Sequence, residues 1–433
     1  MNLKRKFGIA AMAVVALFII VAVYIYAIGI DIGPVDVSDL APPVEESVAP
    51  EDNALTYFAK ARDVLADSSI DSDIGSYLND NRTNMALIAA VLSDNEEALQ
   101  LLYQGVQCQR CIFPVWKAAE DESFNVSGMG DVGRLLLGKI WYEQAQGNID
   151  IAIHDIHALL RYGKLMRQTP STLISQLLGN AIVSKGLGQI RDFARDPQLS
   201  EDHLKQLLEY TNDIPSYDMS ALLTQYGPYY AMALKKMKAE GLVPMVYSDS
   251  SMSSFEIFML NAVVRHNLLV NATHRDLAQR HRALMSDFPK FFADINFGTD
   301  LLFWRPQPWW KMLLSKNAFG KSITLGLASE IRFGFEQCCR ADSDIAATKI
   351  IIACHLFQRE AGRKPNTLDE LVPTYLTSVP LDPFDGKPFR YNPDTGVIYS
   401  VGKTLKSLGD TALVSKDASP WLGGDNIAFS IWE

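Results

Sequence analysis

The stretch Asp382-Pro383-Phe384-Asp385-Gly386-Lys387-Pro388-Phe389-Arg390-Tyr391 constrains the fold of this chain more than any other. Pro373, Pro380, Pro383 and Pro388 each remove a backbone donor and crowd the preceding turn, so no helix runs through this region. Asp385-Gly386 is a turn signal. Before it, Ile331, Phe335, Cys338, Ile345, Ile350, Ala353 and Phe357 fall near one face of a helix predicted over 323–361. Gly362 is placed to end that helix, and Thr367-Leu368-Asp369-Glu370 has the capping-box pattern of a short following helix. After it, residues 389–391, 397–401 and 427–432 read as strands, the first two joined by the turn Asn392-Pro393-Asp394-Thr395-Gly396. A long helix packed on a small antiparallel sheet is an α+β unit, expected over 321–433.

Upstream, 52–320 reads as a helical domain. Leu55, Phe58, Ala59, Arg62 and Leu65 recur at helical spacing in 53–66, and the pattern returns in 84–103, 133–146, 149–166 and 172–194. Gly147-Asn148 and Thr169-Pro170 break it. Ser200 is a candidate N-cap, and 217–240 and 254–288 are longer helical segments. Short turns between successive helices predict antiparallel hairpins, as in a bundle or solenoid. No fixed repeat persists. The fold class expected is mainly α.

Residues 1–6 form a basic stub with Lys4, Arg5 and Lys6, and no charged residue occurs over 7–30. A run of about 20 apolar residues is long enough for a helix to cross a bilayer. Basic residues before it and Asp31 and Asp36 after it orient the N-terminus to the cytoplasm. The sequence thus predicts a single-pass anchor in the cytoplasmic (inner) membrane, an extracytoplasmic body, and a Pro- and acid-rich linker over 31–51. The formal net charge of -10 argues against nucleic acid as a partner. In an oxidising compartment five cysteines form at most two disulfides, leaving at least one free thiol.

Candidate chemistry in the helical part is sparse. Cys108-Gln109-Arg110-Cys111 has redox-pair or half-zinc-site spacing, but no second such pair and no strand context accompanies it. A local disulfide or a pair of structural thiols is the simpler expectation. His154 and His157 lie three apart beside a stripe of Ile149, Ile153, Ile156 and Leu160, which reads as a solvated polar face. His274 and His281 fall on the apolar stripe with Val270, Leu277 and Leu284 and are expected as core histidines. Arg265, Arg275, Arg280 and Arg282 make that segment basic, for an acidic partner or for internal ion pairs. Phe303-Trp304-Arg305-Pro306-Gln307-Pro308-Trp309-Trp310-Lys311 reads as a domain junction. No nucleophile-elbow, phosphate-loop, dinucleotide or His-Glu-x-x-His pattern occurs, and no cofactor is expected.

The C-terminal part resembles the globular domain of type II secretion major pseudopilins. The resemblance rests on Leu368-Asp369-Glu370-Leu371, Tyr375-Leu376, the Asp382 to Tyr391 string, Tyr399-Ser400-Val401-Gly402 and Gly423-Gly424-Asp425-Asn426-Ile427. Within the string, Asp382, Pro383, Phe384, Gly386, Pro388 and Tyr391 are the structural motif. The whole layout also resembles uncharacterised single-pass bacterial envelope proteins. Two features depart from pseudopilins: a long helical region intervenes, and no Glu follows Lys6 early in the apolar run. The family's calcium loop is replaced by one with Lys403 and Lys406. Asp410, Asp417 and Asp425 remain as donors, and no tight site is expected. The resemblance implies an interaction or scaffold role with an envelope protein partner, linked to type II-like secretion. The rival expectation is an extracytoplasmic hydrolase-like enzyme with its site in the helical body.

Overall fold

A computed structural model describes residues 3–40, 48–65, 84–114, 126–168, 173–216, 234–239, 254–287, 290–297, 311, 314–406 and 427–432. Eleven helices are named here: α1 (Leu3–Ile28), α2 (Ala54–Asp63), α3 (Met85–Asp94), α4 (Glu96–Gln107), α5 (Met129–Ala145), α6 (Ile149–Gln168), α7 (Leu173–Ala194), α8 (Glu201–Asn212), α9 (Ser254–Asn267), α10 (Val270–Asp287) and α11 (Ala318–Ala361). The sheet has β1 (Arg390–Asn392), β2 (Val397–Ser400) and β3 (Ile427–Ser430), antiparallel in the order β1-β2-β3. Tyr391 pairs with Ile398, and Ile398 with Phe429. Mainly helical architecture with a small antiparallel sheet is as the periodicity predicts.

Side-chain caps start several helices. Asn53 accepts from Leu55 N, Asn84 from Leu87 N and Ser200 from His203 N. Gly362, at φ 67°, closes α11 with its amide on Gln358 O. The capping box is not formed. Thr367 makes no side-chain cap to the short 3-10 turn Leu368–Leu371, and the Glu370 carboxylate instead accepts from Asn366 N. Two uninterrupted helices of the sequence reading are broken. Buried Asn95 separates α3 from α4, its amide donating to Val91 O. Leu268-Leu269 separates α9 from α10, where Asn267 and Asn317 bond across the break to Ser315 O and Leu269 N.

One continuous core runs from Ala54 and Phe58 through Tyr162 and Phe193 to Ile350, Ile398 and Ile431. A satellite core of Leu234, Val264, Leu268 and Leu277 lies where α9 and α10 meet the start of α11. At 44 residues α11 is about 66 Å long. It packs on α7 and α8 along one part and on the sheet along another, so body and C-terminal unit share it.

The single-pass anchor is corrected. Helix α1 forms, but among the described residues no helix is long and apolar enough to cross a membrane. The inner-membrane placement, and with it the anchored element of the expected fold class, is therefore not supported. The C-terminal end of α1 is instead tied to the body. Tyr24 donates to Leu314 O at 3.2 Å, and His266 Nε2 lies 2.8 Å from Ile25 O. Asp31 accepts from Asn271 N and Ala272 N at 2.9 and 3.0 Å, capping α10. Arg282 grips Asp39 through both carboxylate oxygens. Residues 31–40 thus lie along α10.

Candidate functional site: a cleft between the helical body and the C-terminal unit

The Asp382 to Tyr391 string folds around one carboxylate. Asp382 is fully buried and accepts from Phe384 N (3.0 Å), Ser400 Oγ (2.8 Å), Val401 N (2.9 Å) and Arg390 (2.7 Å). Burial raises its pKa above the ordinary carboxylate value, and the donors pull the other way. Gly386 turns at φ 71°, Phe384 is buried, and Tyr391 donates to Pro365 O at 2.9 Å. Pro383 O accepts from Phe292 N at 3.1 Å, and half-buried Pro383 borders a cleft, whereas Pro388 is exposed. The string therefore acts as a clip that joins the sheet to the segment at 291–293.

Beside the clip opens a cleft of about 710 Å³. Its floor is Phe335, Cys338, Cys339, Ile345 and Ala346 of α11 with Leu376. One rim is Tyr375, Thr377, Ser378 and Leu381; the other is Asn212, Ile214 and Lys290, with Asp342 and Lys349 rising from α11. Burial lowers the Lys349 amine, opposed by Asp342. Asp342 lies 3.7 Å from Arg167. Burial pushes the Cys338 and Cys339 thiols well up, so neither supplies a thiolate at neutral pH. The cleft lining mixes polar and apolar groups about evenly. A smaller cleft of about 490 Å³ lies between α10 and α11, bordered by Asp276, Arg280 and Lys321.

The other sequence candidates are not brought together. Cys108 and Cys111 are free thiols, the first half-buried with its pKa raised by desolvation, the second buried. Arg161, donating to Cys108 O at 3.1 Å, ties this turn to α6. His154 is 67% exposed, while His157 stacks on Tyr210 at 4.0 Å, so the two diverge. His281 is buried and depressed to about 4 by desolvation, and His274 is lowered for the same reason. His281 fits the core reading, whereas His274 is only half-buried. Arg275 pairs with Asp276 and Arg282 with Asp39, as internal ion pairs, while Arg265 is exposed. Of 303–311 only Lys311 lies within the described residues, and Asp410, Asp417 and Asp425 lie outside them. Among the described residues no group of three or more His, Cys, Asp or Glu could hold a metal ion.

Two polar clusters went unseen in the sequence. Tyr103 donates to Asp155 at 2.5 Å, and Lys139 reaches the same carboxylate at 2.5 Å. Burial raises the Tyr103 phenol, so it stays protonated and ties α4, α5 and α6 together. Buried Asp344 accepts from Arg191 and from Ser184 Oγ at 2.5 Å, joining α7 to α11. Both clusters are internally satisfied. Their members are scattered along the chain, so no local spacing marks them. Lys349 carried no signal either, because the cleft walls come from four distant segments. No family model, no curated protein and no solved structure matches this chain.

Proposed function

We propose that this chain is a protein-interaction module whose recognition site is the cleft between the helical body and the C-terminal unit. The observation that carries this reading is the cleft itself: about 710 Å³, an apolar floor and a polar rim, held by α11 and the Asp382 clip. Walls already formed by α11 and the clip favour recognition, because less ordering is left to do on binding. The pseudopilin-like string makes a component of a type II-like secretion assembly the partner class to test first.

The test is site-specific photocrosslinking in cells that make the protein. A photoreactive amino acid at Leu381, on the rim, is expected to give a discrete adduct with one protein, lost when Thr377→Trp crowds the cleft. The same group at Ile174, exposed on α7, is expected to give none. Equal adducts from both positions would refute the reading.

A further inference from the structure

The rim segment at 377–379 differs from the chain on either side of it. Tyr375 and Leu376 donate their amides to Leu371 O at 2.9 and 3.1 Å. Further on, Asp382 N reaches Lys387 O at 2.8 Å and Phe389 N reaches Pro380 O at 3.1 Å. Between these anchored points Thr377, Ser378 and Val379 make no hydrogen bond to any described residue. Backbone groups of this kind bond to water or to an incoming chain. Pro380 biases Val379 toward extended backbone. Thr377 and Ser378 are exposed bend residues, so their backbone groups lie open to an incoming chain.

Across the floor from this rim stands Lys349. Its amine is half-buried and has no hydrogen bond or ion pair within 4.0 Å to a described residue. Lys290, the other cation of the cleft, pairs with Asp287 at 2.6 Å, whereas Asp342 acts on Lys349 and also lies 3.7 Å from Arg167, so one carboxylate is shared by two cations. Charge complementarity therefore calls for one carboxylate on the occupant. A polyanion such as nucleic acid is disfavoured by Asp342 in the lining and by the chain's net charge of -10.

We propose that the cleft takes an extended polypeptide segment bearing an acidic side chain, its backbone pairing with Thr377 and Ser378 and its carboxylate received by Lys349. This rests on the protein-binding reading above and names the chemistry of the partner. Specificity would come from the ion pair: a neutral isostere leaves Lys349 and Arg167 sharing the single carboxylate of Asp342.

The full chain is titrated by fluorescence anisotropy into two labelled, end-capped decapeptide pools. Both have degenerate Val, Thr and Ile positions, with a central Glu in one and Gln in the other. The Glu pool is expected to bind about tenfold tighter, a difference of about 1.4 kcal/mol. Lys349→Gln is expected to bring the two pools level, and Lys349→Arg to keep the preference. Ser378→Pro, which removes one rim amide, is expected to weaken both pools, with circular dichroism confirming that the variant folds. Equal binding of both pools, blocked by Thr377→Trp, would overturn the acidic preference and leave the protein-binding cleft standing. Binding that survives Thr377→Trp, or no binding of either pool, would overturn both.

Discussion

Asp382 meets three uncharged donors and a guanidinium while fully buried. Removing one partner of such a pair strands the other. Asp382→Ala is expected to cost about 3 kcal/mol in urea unfolding, and adding Arg390→Met is expected to restore part of it. His355 makes a second residue-scale prediction. Its Nε2 lies 2.9 Å from Ile431 O, and burial depresses its pKa from 6.5 to about 4. Between these values the unfolded chain binds the extra proton, so stability falls as pH drops from 6.5 toward 4. At pH 5 the loss is up to about 2 kcal/mol. Replacing His355 by Gln is expected to flatten the acid limb, checked by urea midpoints at pH 7 and pH 5. Asp382 was legible as the head of a turn, yet its partners Ser400 and Val401 sit 18 and 19 residues on, with no period linking them. Lys349 was illegible because a half-buried amine is defined by what crosses it.

Helices α6 and α7 cross with their backbones in near contact at Gly163 and Gly179. A Cβ on Gly179 would stand 2.9 Å from Gly163 O and 3.0 Å from Arg167 N, and one on Gly163 would stand 2.8 Å from Gly179 O. Backbone atoms have no rotamer with which to yield. Gly179→Ala is thus expected to destabilise by about 1–3 kcal/mol despite its better helix propensity, measured by thermal unfolding. The seam between α7 and α11 behaves differently. Asp344→Ala leaves Arg191 buried and unmatched and is expected to cost about 3 kcal/mol, whereas Arg191→Met with Asp344→Leu is expected to come close to the native chain. Helix existence was readable at this scale because an apolar stripe at period 3.6 leaves few alternatives. The breaks at Asn95 and Leu268-Leu269 were not, since the stripe continues through both and only tertiary bonds interrupt the ladder. The strands were readable from the prolines and turns between them.

Across the whole molecule, the core is unbroken from α2 to the residue after β3, and α11 belongs to both halves. Residues 321–433 expressed alone would expose the face of α11 that α7 and α8 cover. They are expected to give poorly dispersed amide spectra and rapid proteolysis, while the full chain unfolds in one transition seen alike by circular dichroism and tryptophan fluorescence. The shared helix also bears on time. A helical composition ordinarily goes with neighbours in sequence meeting early and folding fast. Here Arg195 holds Ser430 O across 235 residues, and Arg191 reaches Asp344 across 153. Loop closure over such separations precedes any reward from the contacts it permits. The helices can form in microseconds, but they then wait for a strand far down the chain, so this mostly helical protein should assemble at the pace of a β-rich one.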